Sequence, residues 1–410
     1  MTKRLILLPV LFLSMTACEA QRTTNWKEDM DFWKAEVKKQ HYVYRAKDLP
    51  AGFDARFENI KTHIPEYSDQ RMVIEILGLA AMLGDGHNYV IPWTAQGFAT
   101  MALPLRLYLF NDGLFVIDAY AGYESWIGKK VIRIGNVSAE ELMKRVDPFI
   151  GRDSDQGVVW IGPVMLSLEG MLQALGVDGK GAYQVDFSDS GKKVSKTFDV
   201  VPFQPVRGIP KLIPQKTGSK TIPLYLQHVR ETFWISSLKK ESTLYAQFNQ
   251  VMNDPRESLA GFAKRLSDSL DVVKPKKLII DVRHNNGGNA DLLGPLLEVL
   301  QRYRSSPSTQ LFIFTGRNTF SACQIFISKA DRLVKPIFAG EESSSKPNFV
   351  GEENVVFLPH SKAMCSISNR YHESIPGDTR RVIEPQMKIT LSSADYFSGK
   401  DPVLEAVLRR

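Results

Sequence analysis

The chain has 410 residues, 43% hydrophobic and 24% charged, enough apolar side chains for two or three packed domains and too many for a disordered or low-complexity polypeptide. Its 52 basic and 45 acidic residues leave a net charge of +7, but the basic residues are dispersed, with no aromatic-interleaved stripe, which argues against nucleic acid as a partner. Three cysteines in a chain this long exclude a disulfide scaffold.

Residues 1–17 place Lys3 and Arg4 before an apolar run at 5–13, too short to span a bilayer and ordered like a secretory signal. Ser14-Met15-Thr16-Ala17-Cys18 resembles a bacterial lipobox, in which Cys18 becomes the lipidated N-terminus. Met15 stands where leucine is usual, so cleavage near Ala17 or Ala20 without a lipid is the alternative. The expectation is a lipoprotein anchored to a membrane of the bacterial cell envelope and facing the periplasm.

Residues 22–97 read as a helical domain: Trp26, Met30, Trp33 and Val37 recur at helical spacing, and 73–82 is a denser apolar stretch. It ends in Leu83-Gly84-Asp85-Gly86-His87-Asn88. A lone histidine between glycines is either a polar turn residue or an imidazole whose ordinary pKa, about 6.5, suits it to take a proton near neutrality. Residues 98–205 read as a β-rich domain, with strands near 105–109, 114–117 and 129–134, an Asn111-Asp112-Gly113 hairpin turn and a helix at 139–146. A Lys/Gly/Pro-rich linker at 206–223 leads into a core at 224–410.

Within that core the sequence repeats one unit. The apolar run at 278–282 stops at Arg283-His284-Asn285-Asn286-Gly287-Gly288-Asn289 before a helical pattern at 291–303. The run at 310–314 passes through Thr315-Gly316-Arg317-Asn318-Thr319-Phe320 into a second helix opened by Ser321-Ala322-Cys323. Strands joined by such helices are parallel, so the loops at their carboxyl ends share one sheet edge. The chemistry suited to that edge is acyl transfer: adjacent glycines and the Ala322 N–H can aim donors at a developing oxyanion beside the Ser321 hydroxyl. The competing reading is structural, because Ser321 with Gln324 has the S-x-x-Q form of a helix capping box and Asn-Gly-Gly is an ordinary turn.

Asp281-x-Arg283-x-Asn285-x-Gly287-Gly288-Asn289, the segment 314–322 and Gly340-Glu341 together resemble the core of the tail-specific (C-terminal-processing) serine peptidases, which include the tricorn core. The resemblance implies a ClpP/crotonase-like α/β core, Ser321 as nucleophile, and an oxyanion hole from Gly287, Gly288 and Ala322. Asp85-Gly86-His87-Asn88 resembles the D-x-H-T element of the tricorn-like branch, with Asn88 in place of threonine, and makes His87 the general base. Lys346, 25 residues past Ser321 (346 − 321), has the spacing of the Ser-Lys dyad in the C-terminal-processing branch and is the rival base, although the usual T-x-G-K-G is absent. Glu384 is the nearest candidate for a supporting glutamate. Residues 127–136 resemble part of a degenerate PDZ domain, whose edge could take a peptide as an added strand.

The implied function is a serine endopeptidase that cleaves unfolded or C-terminally presented polypeptides through an acyl-enzyme, with no metal or cofactor. The alternative is a catalytically silent relative that binds peptide or another ligand. Cys323 and Cys365 are left to pair or to pack.

Overall fold

The structure, a computed structural model, describes residues 24–96, 99–204, 222–304 and 309–410. The segment 1–17, Cys18 and the linker as far as residue 221 lie outside the described residues.

The N-terminal helices form around one that is buried almost all round. Asp69–Ala81 begins at Ser68, whose hydroxyl accepts from the Arg71 N–H, and its side chains from 72 to 80 are buried on every face. Such a helix belongs inside a core rather than on its surface. Trp26–Gln40, capped by Asn25, and Phe53–Thr62 pack around it through Trp26, Met30, Trp33, Phe53 and Phe57. The same core continues into Leu105, Val116, Ile134 and Tyr183 of the following segment, so the helical and β-rich regions pack as one body.

That segment is an antiparallel sheet in the order Leu105–Phe110, Gly113–Ala119, Lys130–Ile134, Ala182–Asp189 and Lys192–Asp199, with Val137–Ser138 paired to the third strand. The Asn111-Asp112 turn falls between the paired residues Phe110 and Gly113. Beside Ala139–Val146 there are two further helices, Gln156–Met165 and Glu169–Ala174. The first of these contains Pro163 and two glycines, which hide a helix from propensity reasoning.

The C-terminal half is built on a mixed sheet. Phe233–Leu238 runs antiparallel to Thr243–Phe248, and then Thr243–Phe248, Lys277–Asp281, Gln310–Thr315, Ile337–Gly340 and Met387–Lys388 lie parallel in that order. Its core holds Leu278, Ile280, Ile313 and Phe338 against the helices Leu259–Val273 and Ala322–Val334. Buried charges brace the carboxyl edge: Arg283 bridges Asp281 and Asp401, its Nη2 lying 2.7 Å from Asp401, and Arg317 pairs with Glu341 while donating to the Leu109 carbonyl at 2.6 Å.

A three-stranded sheet joins the two halves. After Ile337–Gly340 the chain forms a hairpin, Asn348–Phe357 with Met364–Glu373, and Tyr89–Ile91 pairs with its second strand. Buried Asp29 of the first helix accepts from the His360 and Ser361 N–H groups at the hairpin turn, at 2.7 and 2.9 Å. The strand that follows His87 is thereby held against the half that carries Ser321.

Candidate active site

The base loop leaves the C-terminal end of the buried helix and closes on Asp85. One Asp85 oxygen accepts the His87 backbone N–H at 3.0 Å, and the other accepts Asn88 Nδ2 at 2.6 Å. Ser368 Oγ sits 2.9 Å from both oxygens, and the Ser368 N–H donates to Asn88 Oδ1 at 3.0 Å. His41 completes the cluster. Its Nδ1 accepts from the Val43 and Tyr44 N–H groups, which puts its proton on Nε2, 3.1 Å from Asp85 Oδ2. All of these side chains are buried, so the loop carrying His87 is fixed by paired polar groups rather than by solvent.

The nucleophile loop is held differently. Ser321 has φ 54° and ψ −125°, a sparsely populated conformation for a residue with a Cβ, and its side chain makes no capping bond. Gln324 is committed elsewhere, donating to Ser328 Oγ at 3.1 Å and accepting from Ser343 Oγ at 2.6 Å. The capping-box reading of these residues therefore fails, and the Ser321 hydroxyl is left for the cleft. Glycine is required opposite: a Cβ on Gly287, at φ 114°, would lie 2.8 Å from Ser321 Cβ and 3.0 Å from the Ala322 nitrogen. The Gly287 N–H donates to Asn285 Oδ1 at 3.0 Å. Among the described residues no acceptor claims the Gly288 or Ala322 N–H.

These loops bring His87 Nε2 to 2.9 Å from Ser321 Oγ, across 234 residues of sequence. The imidazole stacks between Phe320 and Phe349, with ring centroids 4.4 and 5.4 Å away, and is 4% exposed. Burial, only partly opposed by the Asp85 and Glu353 carboxylates, lowers its pKa to about 4. It is therefore neutral at pH 7, with Nε2 able to accept the serine proton. Its Nδ1 is buried and has no hydrogen-bond partner among the described residues.

Lys346 is half-buried in the loop before the hairpin and makes no hydrogen bond to Ser321. Glu384 is exposed and lies beside Lys388 rather than His87. Cys323 and Cys365 are both buried and unpaired. Sequence reasoning missed His41, Phe349 and Ser368 because each is a single residue on a separate segment, and no local pattern marks it. Only the hairpin's return to the N-terminal half brings Phe349 and Ser368 to the base loop.

Ser321 and His87 open into a cleft of about 1290 Å³. Phe149, Trp160, Met165 and Ile325 give it an apolar wall, and Arg370 and Glu353 charge its rim. A cleft of this size is ample for several residues of an extended peptide.

No family model matches the sequence, and no curated protein matches it. Solved structures do. Mature CPAF complexed with lactacystin matches with a TM-score of 0.64 at 12% identity, over 94% of this chain and 98% of that one. Mature CPAF alone matches with a TM-score of 0.62 at 11% identity, over 94% and 97%. At such identities the likeness is one of fold. The resemblance to tail-specific peptidases drawn from the core motifs thus has its counterpart in the architecture of almost the whole described chain.

Proposed function

We propose that the protein is a serine endopeptidase of the tail-specific kind, with Ser321 as nucleophile and His87 as general base. The observation that carries this reading is the 2.9 Å approach of a buried, neutral imidazole to a serine hydroxyl that has no capping role. In the first half-reaction Ser321 Oγ attacks the scissile carbonyl while its proton passes to His87 Nε2, and the Gly288 and Ala322 N–H groups receive the oxyanion. The tetrahedral adduct then collapses, His87 Nε2–H protonates the leaving amine, and an acyl-enzyme remains on Ser321. A water deprotonated by His87 hydrolyses it. Gly287 serves by lacking a side chain.

On this reading the parallel sheet is the ClpP/crotonase-like core, the antiparallel sheet is the degenerate PDZ-like domain, and the substrate is an unfolded or C-terminally presented polypeptide. The lipobox resemblance supports an anchor at Cys18 in the bacterial envelope. A second reading, a silent relative that binds peptide in the same cleft, draws on one observation: among the described residues His87 Nδ1 has no acceptor to support an imidazolium.

Peptide release from an unfolded-protein mixture, followed by mass spectrometry, separates the two. Wild type and Lys346→Ala should release the same peptides, whereas Ser321→Ala and His87→Ala should fall by roughly 10³-fold or more. Cleavage lost in Lys346→Ala but kept in His87→Ala would overturn the assignment of the base. A folded wild type that binds peptide without cutting it would favour the silent relative.

A further inference from the structure

The hairpin that delivers Phe349 and Ser368 to the base loop has a second side that the proposed mechanism does not use. In its three-stranded sheet Met364–Glu373 is central and Asn348–Phe357 is an outer strand. The register stacks two rungs of side chains on one face: Tyr89, Ser366 and Val355, then Ile91, Met364 and Phe357. The rung between them, Val90, Cys365 and Val356, points the other way, into the N-terminal core. Tyr89 and Ile91 line the cleft that holds Ser321 and His87. Val355 and Phe357 therefore carry the wall of the cleft outward, and both face solvent, 44% and 58% exposed.

The outer edge of this strand is open as well. Among the described residues, no hydrogen bond joins the backbone of 349–357 to a group outside the hairpin. Natural sheets blunt such an edge with lysine, proline or a covering element. Residues 348–357 include neither lysine nor proline, and the far end of the strand is apolar. Its near end lies at the site: a Cβ on Gly351 would stand 3.2 Å from His87 Cε1, and Phe349 stacks on the imidazole. The two carboxylates between these ends are already engaged, Glu352 by Arg370 at 3.1 Å and Glu353 by the Tyr89 hydroxyl at 2.6 Å. What is left for a partner is a hydrogen-bonding edge and an apolar strip.

We propose that Asn348–Phe357 is a docking edge for the polypeptide substrate, which adds to it as a further strand and lays apolar side chains over Val355 and Phe357. The occupant is the substrate because the strip is continuous with the cleft and starts beside His87. Strand addition draws affinity from the backbone of any sequence, and the side chains over alternate residues supply selection. That suits an unfolded chain, since a folded protein has most of its backbone already paired. Val355 and Phe357 lie four and six residues past Gly351 (355 − 351, 357 − 351), roughly 13 and 20 Å away along an extended strand. Preferred substrates thus carry two apolar residues, one residue apart, at that reach from the scissile bond. As a claim about substrates the inference rests on the peptidase reading. As a claim about polypeptide binding it stands alone.

The test follows backbone hydrogen exchange in Ser321→Ala, which forms no acyl-enzyme, with and without reduced, carbamidomethylated α-lactalbumin, a chain that stays unfolded. Exchange across 353–357 should slow by roughly fivefold or more when the probe saturates, the effect of one net hydrogen bond on each outward amide. Adding Phe357→Ser should raise the probe concentration needed for the same slowing by roughly tenfold, and adding Val355→Ser should raise it by less. Both side chains are exposed, and a thermal melt checks that each variant is folded. No slowing across 353–357, or the same probe dependence in both folded variants, overturns the proposal. So does slowing produced by raising the protein concentration without the probe, which would make the strand a contact between copies of this chain. Cleavage sites mapped by mass spectrometry in an unfolded-protein mixture should show the apolar pair at the stated reach for wild type and lose it for Phe357→Ser. Sites without such a pair overturn the strand as a substrate determinant. A wild type that cleaves nothing sinks the peptidase reading, while the exchange comparison still decides whether the strand binds polypeptide.

Discussion

The two loops of the candidate site reach their geometry by opposite means. The base loop at 84–88 is a web of side chains: Asp85 serves His87, Asn88, His41 and Ser368 together. The nucleophile loop at 315–321 is a matter of backbone, in which a strained serine faces a glycine turn that leaves no room for a Cβ. A polar web fails when one buried partner is lost, because the others are left unsatisfied. A backbone arrangement fails when anything is added. The two loops should therefore break to different substitutions and leave each other intact.

The largest effect should come from Asp85→Ala. It strands the His41 Nε2–H, the Asn88 amide and the His87 N–H in the interior, a loss of roughly 3–5 kcal/mol by analogy with breaking a buried charged pair. Chemical denaturation should show the fall, and activity should vanish with the loop. Gly287→Ala should be next. Its methyl group would enter the space of Ser321 Cβ and the Ala322 nitrogen, displacing the oxyanion donors, and the rate of Ser321 acylation should drop by roughly 10²–10³-fold. Its denaturation midpoint should move far less than that of Asp85→Ala.

Acid separates the loops without mutation. His87 titrates at about 4 in the folded protein and near 6.5 when unfolded, so the unfolded chain binds the proton first. Stability should hold above pH 6.5 and fall as the pH drops toward 4, by about 3 kcal/mol from this group. His87→Gln should lack that share of the acid sensitivity, measured as the difference in unfolding free energy between pH 7 and pH 4.5. Ser321 and Gly287 themselves do not titrate and add nothing to this loss.

The same contrast explains what could be read from the sequence. The nucleophile side was legible because backbone geometry is written locally: Asn285-Asn286-Gly287-Gly288 must turn, and Ser321 must open the helix after a parallel strand. Even the motif residues Asp281 and Arg283 have a local cause, since each satisfies the other's buried charge at the sheet edge. On the base side only Asp85, His87 and Asn88 were visible. His41 ends one helix and Ser368 lies within a distant hairpin, so their convergence is a property of the packed chain. The choice between His87 and Lys346 was illegible for the same reason: spacing favoured the lysine and a loop motif favoured the histidine, but only tertiary structure supplies the distance.

The smallest effect tests how redundant the polar web is. Asn88 stands where the resembling motif has threonine, and its amide spans two partners, donating to Asp85 Oδ2 at 2.6 Å and accepting the Ser368 N–H at 3.0 Å. A threonine hydroxyl can also donate once and accept, but it is shorter by one atom and cannot hold both at full strength. Asn88→Thr should therefore lose about one hydrogen bond, roughly 1 kcal/mol in the denaturation midpoint. Fluorophosphonate labelling of Ser321 should change by no more than about threefold, because His41 and Ser368 still hold Asp85, and Asp85 still holds the His87 N–H. If labelling fell as far as it does in Asp85→Ala, the web would be a chain with Asn88 as a necessary link, and the threonine of the resembling motif would need a base loop built on different partners.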